Sequence, residues 1–265
     1  MFLPDPWLAL AIGNSRLHWA LFDRDELQQT WNTAYLSEQA IAYFAQSGLP
    51  LSGQSEFQAF PSLPRPSAAL PLWLASVVPQ QTLLWQDYPA IHPITLEQIP
   101  LQGLYPTLGI DRALALWGAV QILGFPALVI DAGTALTFTA LDEKLQLFGG
   151  AILPGLSLQI RALVQGTAAL PLPSLQDEEP PMRWATRTPD AIRSGVVFGL
   201  LATVRDFIGD WQRCFPGAAI ALTGGDGPRL YQALQSSLPE LAQRITLDSH
   251  LAFRGLPAIR YKTSQ

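Results

Sequence analysis

Two short stretches hold most of the chemistry available to this chain. The first is "LGIDRALALW", residues 108–117, where Asp111 and Arg112 head a segment that is otherwise apolar. An acid and a guanidinium in the first turn of a helix have two readings. In one, the carboxylate complements the helix dipole and the arginine pairs with a carboxylate elsewhere. In the other, the pair faces a cleft as a general base beside an anion-holding cation. The second stretch is "VIDAGTALTF", residues 129–138, in which Asp131 precedes Gly133 and Thr134. A glycine turn between two strands points backbone N–H groups outward and lets phosphate oxygens come close to them. A carboxylate and a hydroxyl beside those amides also make a hard-oxygen site for a cation. The plain alternative is a hairpin built from ordinary turn residues.

A third turn, "LAIGNSRLHW" (10–19), has the same form without the acid. At an offset of 120 residues Gly13 falls on Gly133, Ala20 on Ala140 and Leu21 on Leu141, and Ala11 falls where Asp131 stands. Two strand–turn–strand copies in one chain have two readings, a duplicated domain with a cleft between the copies or a short strand–turn repeat arisen by chance. "TGGDGP" (223–228) gives a side-chain-free surface at a helix start, open to a nucleotide base or ribose, or to another backbone strand. "FGGAILPGL" (148–156) similarly allows close backbone approach. His18, His92 and His250 lack metal-ligand spacing and are expected to be structural, and no Ser-His-Asp, Cys-His or zinc pattern stands out.

These residues need a scaffold, and the hydropathy pattern supplies one. Strands are expected at 7–13 and 16–22, with a third near 27–31. "SEQAIAYFAQSG" (37–48) has Ser37 as N-cap, helical apolar spacing and Gly48 as stop. A loop is expected over 59–71, a buried strand over 72–78, a short helix near 79–87 and an apolar helix over 108–123. "ALALWGAVQILGFPALVI" (113–130) is long enough to span a bilayer, yet Gly124-Phe125-Pro126 interrupts it. It is read as a buried helix leading into a buried strand. Strands at 127–133, 135–142 and 145–153 form a meander. Helices near 154–166 and 188–212 enclose a Pro-rich segment read as a flap. A strand, glycine turn and helix cover 218–228, and one more strand lies near 244–248.

Composition bounds the function classes. The chain has 265 residues, 49% of them hydrophobic and 14% charged, with a formal net charge of −5 and no run of Lys or Arg. That balance disfavours a nucleic-acid groove. A small anion would be met by backbone amides or a few placed cations. The single cysteine, Cys214, fits a reducing, cytoplasmic setting. "MFLPDPWLAL" has no basic n-region of a signal peptide, and no membrane association is expected.

Six motifs, in order, resemble the type III pantothenate kinases of bacteria: "AIGNS" (11–15), "GIDR" (109–112), "DAGT" (131–134), "GGAILPG" (149–155), "TPDAIRSGVVFG" (188–199) and "TGG" (223–225). The resemblance covers nearly the whole chain. It implies an α/β, duplicated actin-like (ribonuclease-H-like) ATPase fold, with subdomains 1–112 and 113–265 and a cleft between them. It implies transfer of the ATP γ-phosphoryl group to the 4′-hydroxyl of pantothenate, the first step towards coenzyme A. Asp111 then matches the proton acceptor. Tyr105, Gly109, Ile110, Arg112 and Thr188 match pantothenate contacts. Gly13, Asn14, Ser15, Arg16, Thr134, Gly224 and Gly225 match ATP contacts, and Asp131 the ligand of an activating K⁺ or NH₄⁺. Mg²⁺ and a homodimer are implied as well. The departure is Ala11, where the family mostly carries an Asp that helps organise Mg²⁺ and phosphates. Its loss is worth on the order of 10²–10³ in rate, by analogy with other deleted electrostatic stabilisers. That loss, and a turn "GNSR" similar to the branch described as transcriptional accessory factors, keep open a weakly active or non-catalytic regulatory protein.

Overall fold

Trp7, Leu8, Ala9 and Leu10 are buried without the alternation of a half-exposed strand, the mark of a strand covered on both faces. The computed structural model, which describes residues 5–47, 55–63, 69–174 and 181–263, places this run in β1 (Pro6–Ile12), at the centre of a sheet. β2 (Leu17–Asp23) and β3 (Glu26–Thr33) follow as an antiparallel meander. After α1 (Glu38–Ser47), β4 (Leu72–Ser76) pairs parallel to β1 on its other side. α2 (Pro79–Leu83) precedes β5 (Ile91–Pro93), which closes the order β3-β2-β1-β4-β5.

α3 (Ile110–Leu123) ends at Gly124, whose φ of +82° a residue with a side chain rarely adopts. Then the pattern repeats. β6 (Ala127–Ala132), β7 (Ala135–Leu141) and β8 (Leu147–Pro154) form a second antiparallel meander. α4 (Leu156–Gln165) and α5 (Thr188–Cys214) follow, and β9 (Ala219–Thr223) pairs parallel to β6. α6 (Gly227–Ser237), α7 (Pro239–Ala242) and β10 (Thr246–Leu247) complete the order β10-β9-β6-β7-β8. Counted from its own first strand, each sheet has the same order, three antiparallel strands and then two parallel ones. The chain ends in α8 (Leu251–Arg254) and α9 (Leu256–Thr263).

Two compact units result. The first comprises Met1–Pro100, Leu104–Leu114 and Ala252–Gln265, the second Leu101–Gly103 and Ala115–Leu251. The C-terminal helices therefore belong with the first sheet, so the units are not separated by one cut in the chain. The core of the first unit is aromatic: Trp19 stacks on Trp31 at 6.0 Å and meets Trp85 edge-on at 5.4 Å. In the second, Ile192, Val196, Leu200, Val204 and Ile208 line one buried stripe of α5, the four-residue spacing of a helix face. Among the described residues no helix is long and apolar enough to cross a membrane.

Several sequence expectations shift. β8 begins at Leu147 and not at residue 145, because Asp142 Oδ1 accepts the amides of Lys144 and Gln146 at 2.8 and 2.9 Å and holds a tight turn there. The helix expected over 79–87 stops at Leu83, beyond which bonds such as Trp85 N–H to Thr82 O (3.0 Å) close shorter turns. The Gly48 stop and part of the 59–71 loop lie outside the described residues, as do 175–180 of the flap. What is described of that flap is tethered. Ser194 Oγ donates to the Arg183 carbonyl at 2.7 Å, and the Arg183 guanidinium lies 4.0 Å from the Phe198 ring centre on α5.

Candidate functional site

In the first unit the turn after β1 and the start of α3 meet at one end of the sheet. The Val77 amide, just past β4, donates to Ile12 O at 3.1 Å, and Val77 Cγ1 lies 3.8 Å from where a Cβ on Gly109 would stand. Gly13 N–H donates to Arg16 O at 3.1 Å. That amide therefore closes the hairpin instead of pointing outward, and Asn14, Ser15 and Arg16 form the exposed tip. Tyr35 Oη donates to Gly13 O at 2.6 Å, fixing the turn from outside.

At the head of α3, Asp111 Oδ1 accepts the Arg112 amide at 2.8 Å. A side chain on Gly109 would strike that same oxygen, so glycine there leaves room for the carboxylate. Arg112 is buried at 7% exposure, and its Nη1 donates to Tyr105 Oη at 3.1 Å. The structure thus brings Tyr105, Gly109, Asp111 and Arg112 together, with Ile110 buried beneath them. A half-exposed acid beside a buried guanidinium that aims a phenol outward can take a proton and hold an anion.

The second unit builds its own cluster. Gly133 N–H donates to Ala135 O at 3.0 Å, matching the closure at Gly13. Asp131 is half-buried and Thr134 exposed. In register, Asp131 stands between Thr137 on β7 and Thr223 on β9, both buried, so hydroxyls flank the acid on each side. Gly224, with φ +91°, runs so close that an added Cβ would overlap Asp131 Oδ1 and lie 2.5 Å from Ala132 O. Gly155 does the same to the turn, since its Cβ would overlap Gly133 O, while its amide donates to Thr134 O at 2.9 Å. Gly225 is exposed beside Gly224, and Thr188 is exposed at the first residue of α5.

This oxygen set suits hard cations: one carboxylate with backbone carbonyls and hydroxyls, completed by phosphate or water. Among the described residues no group of three His, Cys, Asp or Glu side chains forms a ready-made cage. A bound metal would therefore depend on the ligand it accompanies.

The repeat needs one correction. Ala11 faces His18, while Asp131 faces Thr137. His18 thus corresponds to Thr137, and Ala20, paired with Ala9, corresponds to Thr139, paired with Val129. The offset of the first strands fails by one residue on the second, because the Gly13–Arg16 turn is one residue longer than its counterpart. A slip of one swaps faces in a strand, so Ala20 on Ala140 and Leu21 on Leu141 were false equivalences. Thr137 escaped the sequence reading, and Thr223 and Gly155 stood in quoted motifs without being placed against Asp131 and its turn. Strand pairing alone sets the two threonines beside Asp131, although Gly155 lay within a stretch marked for close backbone approach.

With this geometry in place, comparisons are informative. A model of the family described as type III pantothenate kinase matches residues 7–210. The chain is 50% identical over 263 residues to the type III pantothenate kinase of a Nostoc species, covering 97% of this chain and 95% of that protein. It is 47% identical over 258 residues to that of a Synechocystis species, covering 97% and 91%. Among solved structures, the activator of the 2-hydroxyisocaproyl-CoA dehydratase from Clostridium difficile with bound ADPNP aligns at TM-score 0.51 and 11% identity, covering 98% and 96%. MreB 5 of Spiroplasma citri bound to AMPPNP aligns at TM-score 0.50 and 9% identity, covering 98% and 97%. At such identities these two show the fold alone, the duplicated actin-like one.

Proposed function

Because this chain belongs to the type III pantothenate kinase family, we propose that it transfers the γ-phosphoryl group of ATP to the 4′-hydroxyl of pantothenate, the first step towards coenzyme A. The hydroxyl oxygen attacks phosphorus, the bond to the bridging oxygen of ADP breaks, and the hydroxyl proton leaves with a base. Asp111 is that base. Its Oδ1 is held by the Arg112 amide, which fixes the carboxylate while Oδ2 meets the substrate. Arg112 and Tyr105, linked through Nη1 and Oη, bind the polar end of pantothenate together with Gly109, Ile110 and Thr188.

The exposed tips of the two glycine turns, Asn14–Arg16 and Thr134, meet ATP phosphates, with Gly13 and Gly133 closing the turns beneath them, and Gly224 and Gly225 give the nucleoside a flat surface. Phosphoryl transfer is largely positioning and charge neutralisation. Mg²⁺ would supply the second of these on the phosphates, and K⁺ or NH₄⁺ beside Asp131 would add fixed positive charge. Asp131 with the threonine hydroxyls beside it fits the monovalent cation through hard oxygens, and Mg²⁺ would be held by Asp131, water and ATP itself. The protein works in the cytoplasm as a homodimer.

The single observation that carries this reading is the acid held beside a buried arginine and a linked tyrosine at the head of α3. A coupled assay of ADP release with ATP, Mg²⁺, K⁺ and pantothenate tests it. Pantothenate-dependent turnover is expected. Ala11 favours the second reading, a non-catalytic accessory protein, and tight nucleotide binding without turnover would establish that one.

A further inference from the structure

The two copies differ at one corresponding row of their sheets. In the second unit the row across β7, β6 and β9 is Thr137, Asp131, Thr223. In the first, the row across β2, β1 and β4 is His18, Ala11, Ala75. Neighbours in such a row share a face, with Cβ atoms about 5 Å apart. Where the second copy offers an acid between hydroxyls, the first offers one polar group, an imidazole.

Its orientation is set from behind. Asn32 faces His18 across β3, and its Oδ1 lies 2.7 Å from His18 Nδ1. An amide oxygen only accepts, so Nδ1 carries the proton. Nε2 points the other way, 3.6 Å from where a Cβ on Gly13 would stand, and takes no hydrogen bond with any described residue. The ring edge therefore lies against the glycine that opens the Gly13–Arg16 turn.

We propose that His18 is a phosphate-binding residue of this kinase: as the imidazolium it donates from Nε2 to a nucleotide phosphate oxygen, placing positive charge where the usual acid would hold Mg²⁺. This rests on the reading of the Gly13–Arg16 turn as a phosphate site. The device has the opposite sign from the acid it replaces. An acid at position 11 reaches phosphate through a metal, whereas a cation reaches it directly by a charge-assisted hydrogen bond.

The groups around the ring allow this. β1 contributes Ala11, β3 contributes Asn32, the turn contributes Arg16, and Tyr35 is occupied with the Gly13 carbonyl. Burial holds the His18 ring below its ordinary pKa of 6.5; Asn32 opposes that effect and the Arg16 charge adds to it. In the free protein near neutral pH the ring is then neutral. A phosphate beside Nε2 reverses the balance, so nucleotide binding takes up a proton.

The test is calorimetric titration of a non-hydrolysable ATP analogue with Mg²⁺ near pH 7, in buffers of differing ionisation enthalpy. Wild-type and His18→Gln proteins are compared; glutamine can keep a bond to Asn32 but cannot carry the charge. Wild type should take up more protons per bound analogue than His18→Gln, approaching one more. The variant should bind roughly 10- to 100-fold more weakly, the usual worth of a hydrogen bond to a charged group. The chain has three histidines, the ring signal missing from His18→Gln identifies His18 by NMR, and in wild type that signal should titrate at higher pH with the analogue bound. Equal proton counts and affinities in the two proteins, or an unmoved His18 titration, would overturn the proposal while leaving the kinase reading intact. An analogue that does not bind wild type at all would remove the nucleotide reading, and this proposal with it.

Discussion

Gly155→Ala probes the turn of the second copy through space alone. Gly155 links β8 to α4 with φ −70° and ψ 175°, angles that alanine adopts freely. Any effect must come from the added methyl. That carbon would overlap Gly133 O and would lie 2.7 Å from Thr134 O and 3.1 Å from the Thr134 carbonyl carbon. Carbon and oxygen in contact need about 3.3 Å. Relieving the overlap with Gly133 O needs the Gly133–Thr134 backbone to move by roughly 1 Å, or the head of α4 to retreat. Overpacking of this kind costs about 1–3 kcal/mol, which lowers Tm by roughly 2–10 °C in a chain of this size. Misplacement by ~1 Å near the chemistry costs ~10²-fold, so kcat/KM for ATP should fall by roughly 10- to 100-fold. Gly209→Ala in α5 is the control, since its Cβ would enter open space; kinetics should be unchanged and Tm equal or slightly raised. Melting curves and ADP release at varied ATP provide both readouts. If Gly155→Ala melts with Gly209→Ala and keeps the wild-type KM for ATP, the clamp on this turn is not there.

Asp111→Asn retains an oxygen for the Arg112 amide, so it should fold normally while kcat drops by roughly 10²–10⁴; wild-type turnover would remove Asp111 as the base. Asp131→Ala should abolish the difference between K⁺ and Na⁺ buffers along with most activity, and equal wild-type rates in both buffers would refute the cation site. Stability should also track His18. Because burial depresses its folded pKa below 6.5, the unfolded chain binds the proton more readily, so this contribution is complete above pH 6.5 and is lost as pH falls through the folded value. Tm measured from about pH 7 to 5 should therefore decline more steeply for wild type than for His18→Gln. Ala11→Asp would set a carboxylate beside His18 in the same row, and should lower the Mg²⁺ needed for half-maximal rate by up to ~10²-fold. A destabilised, insoluble variant would instead mean that position 11 is too enclosed for a charge.

Much of the fold was legible because its signals are local. The apolar runs of β1, β2, β6 and β7 are set off by Gly13 and Gly133, and Gly124 with Pro126 separates α3 from β6. β3 was hard to see because, of its eight residues, only Trp31 and Thr33 are buried, as suits a strand at the sheet edge. α8 and α9 gave no expectation, since segments this short hold too few turns for a periodic pattern.

Asp111, Arg112, Asp131 and the three glycine turns were marked by residue type and by their position at element ends, information the sequence contains by itself. What surrounds them was not. Tyr105 reaches Arg112 because the backbone between them turns back before α3. Gly155 and Gly224 press on the second turn from β8 and β9, which adjoin it only in the sheet. A glycine in a sequence does not say whether it serves an unusual dihedral, as Gly224 does at φ +91°, or only a lack of room, as Gly155 does at φ −70°. Pairing register decided the rest. One extra residue in the Gly13–Arg16 turn sets His18 opposite Ala11, because strand faces alternate with each residue and hydrogen bonding across the sheet, not order along the chain, fixes which side chains meet.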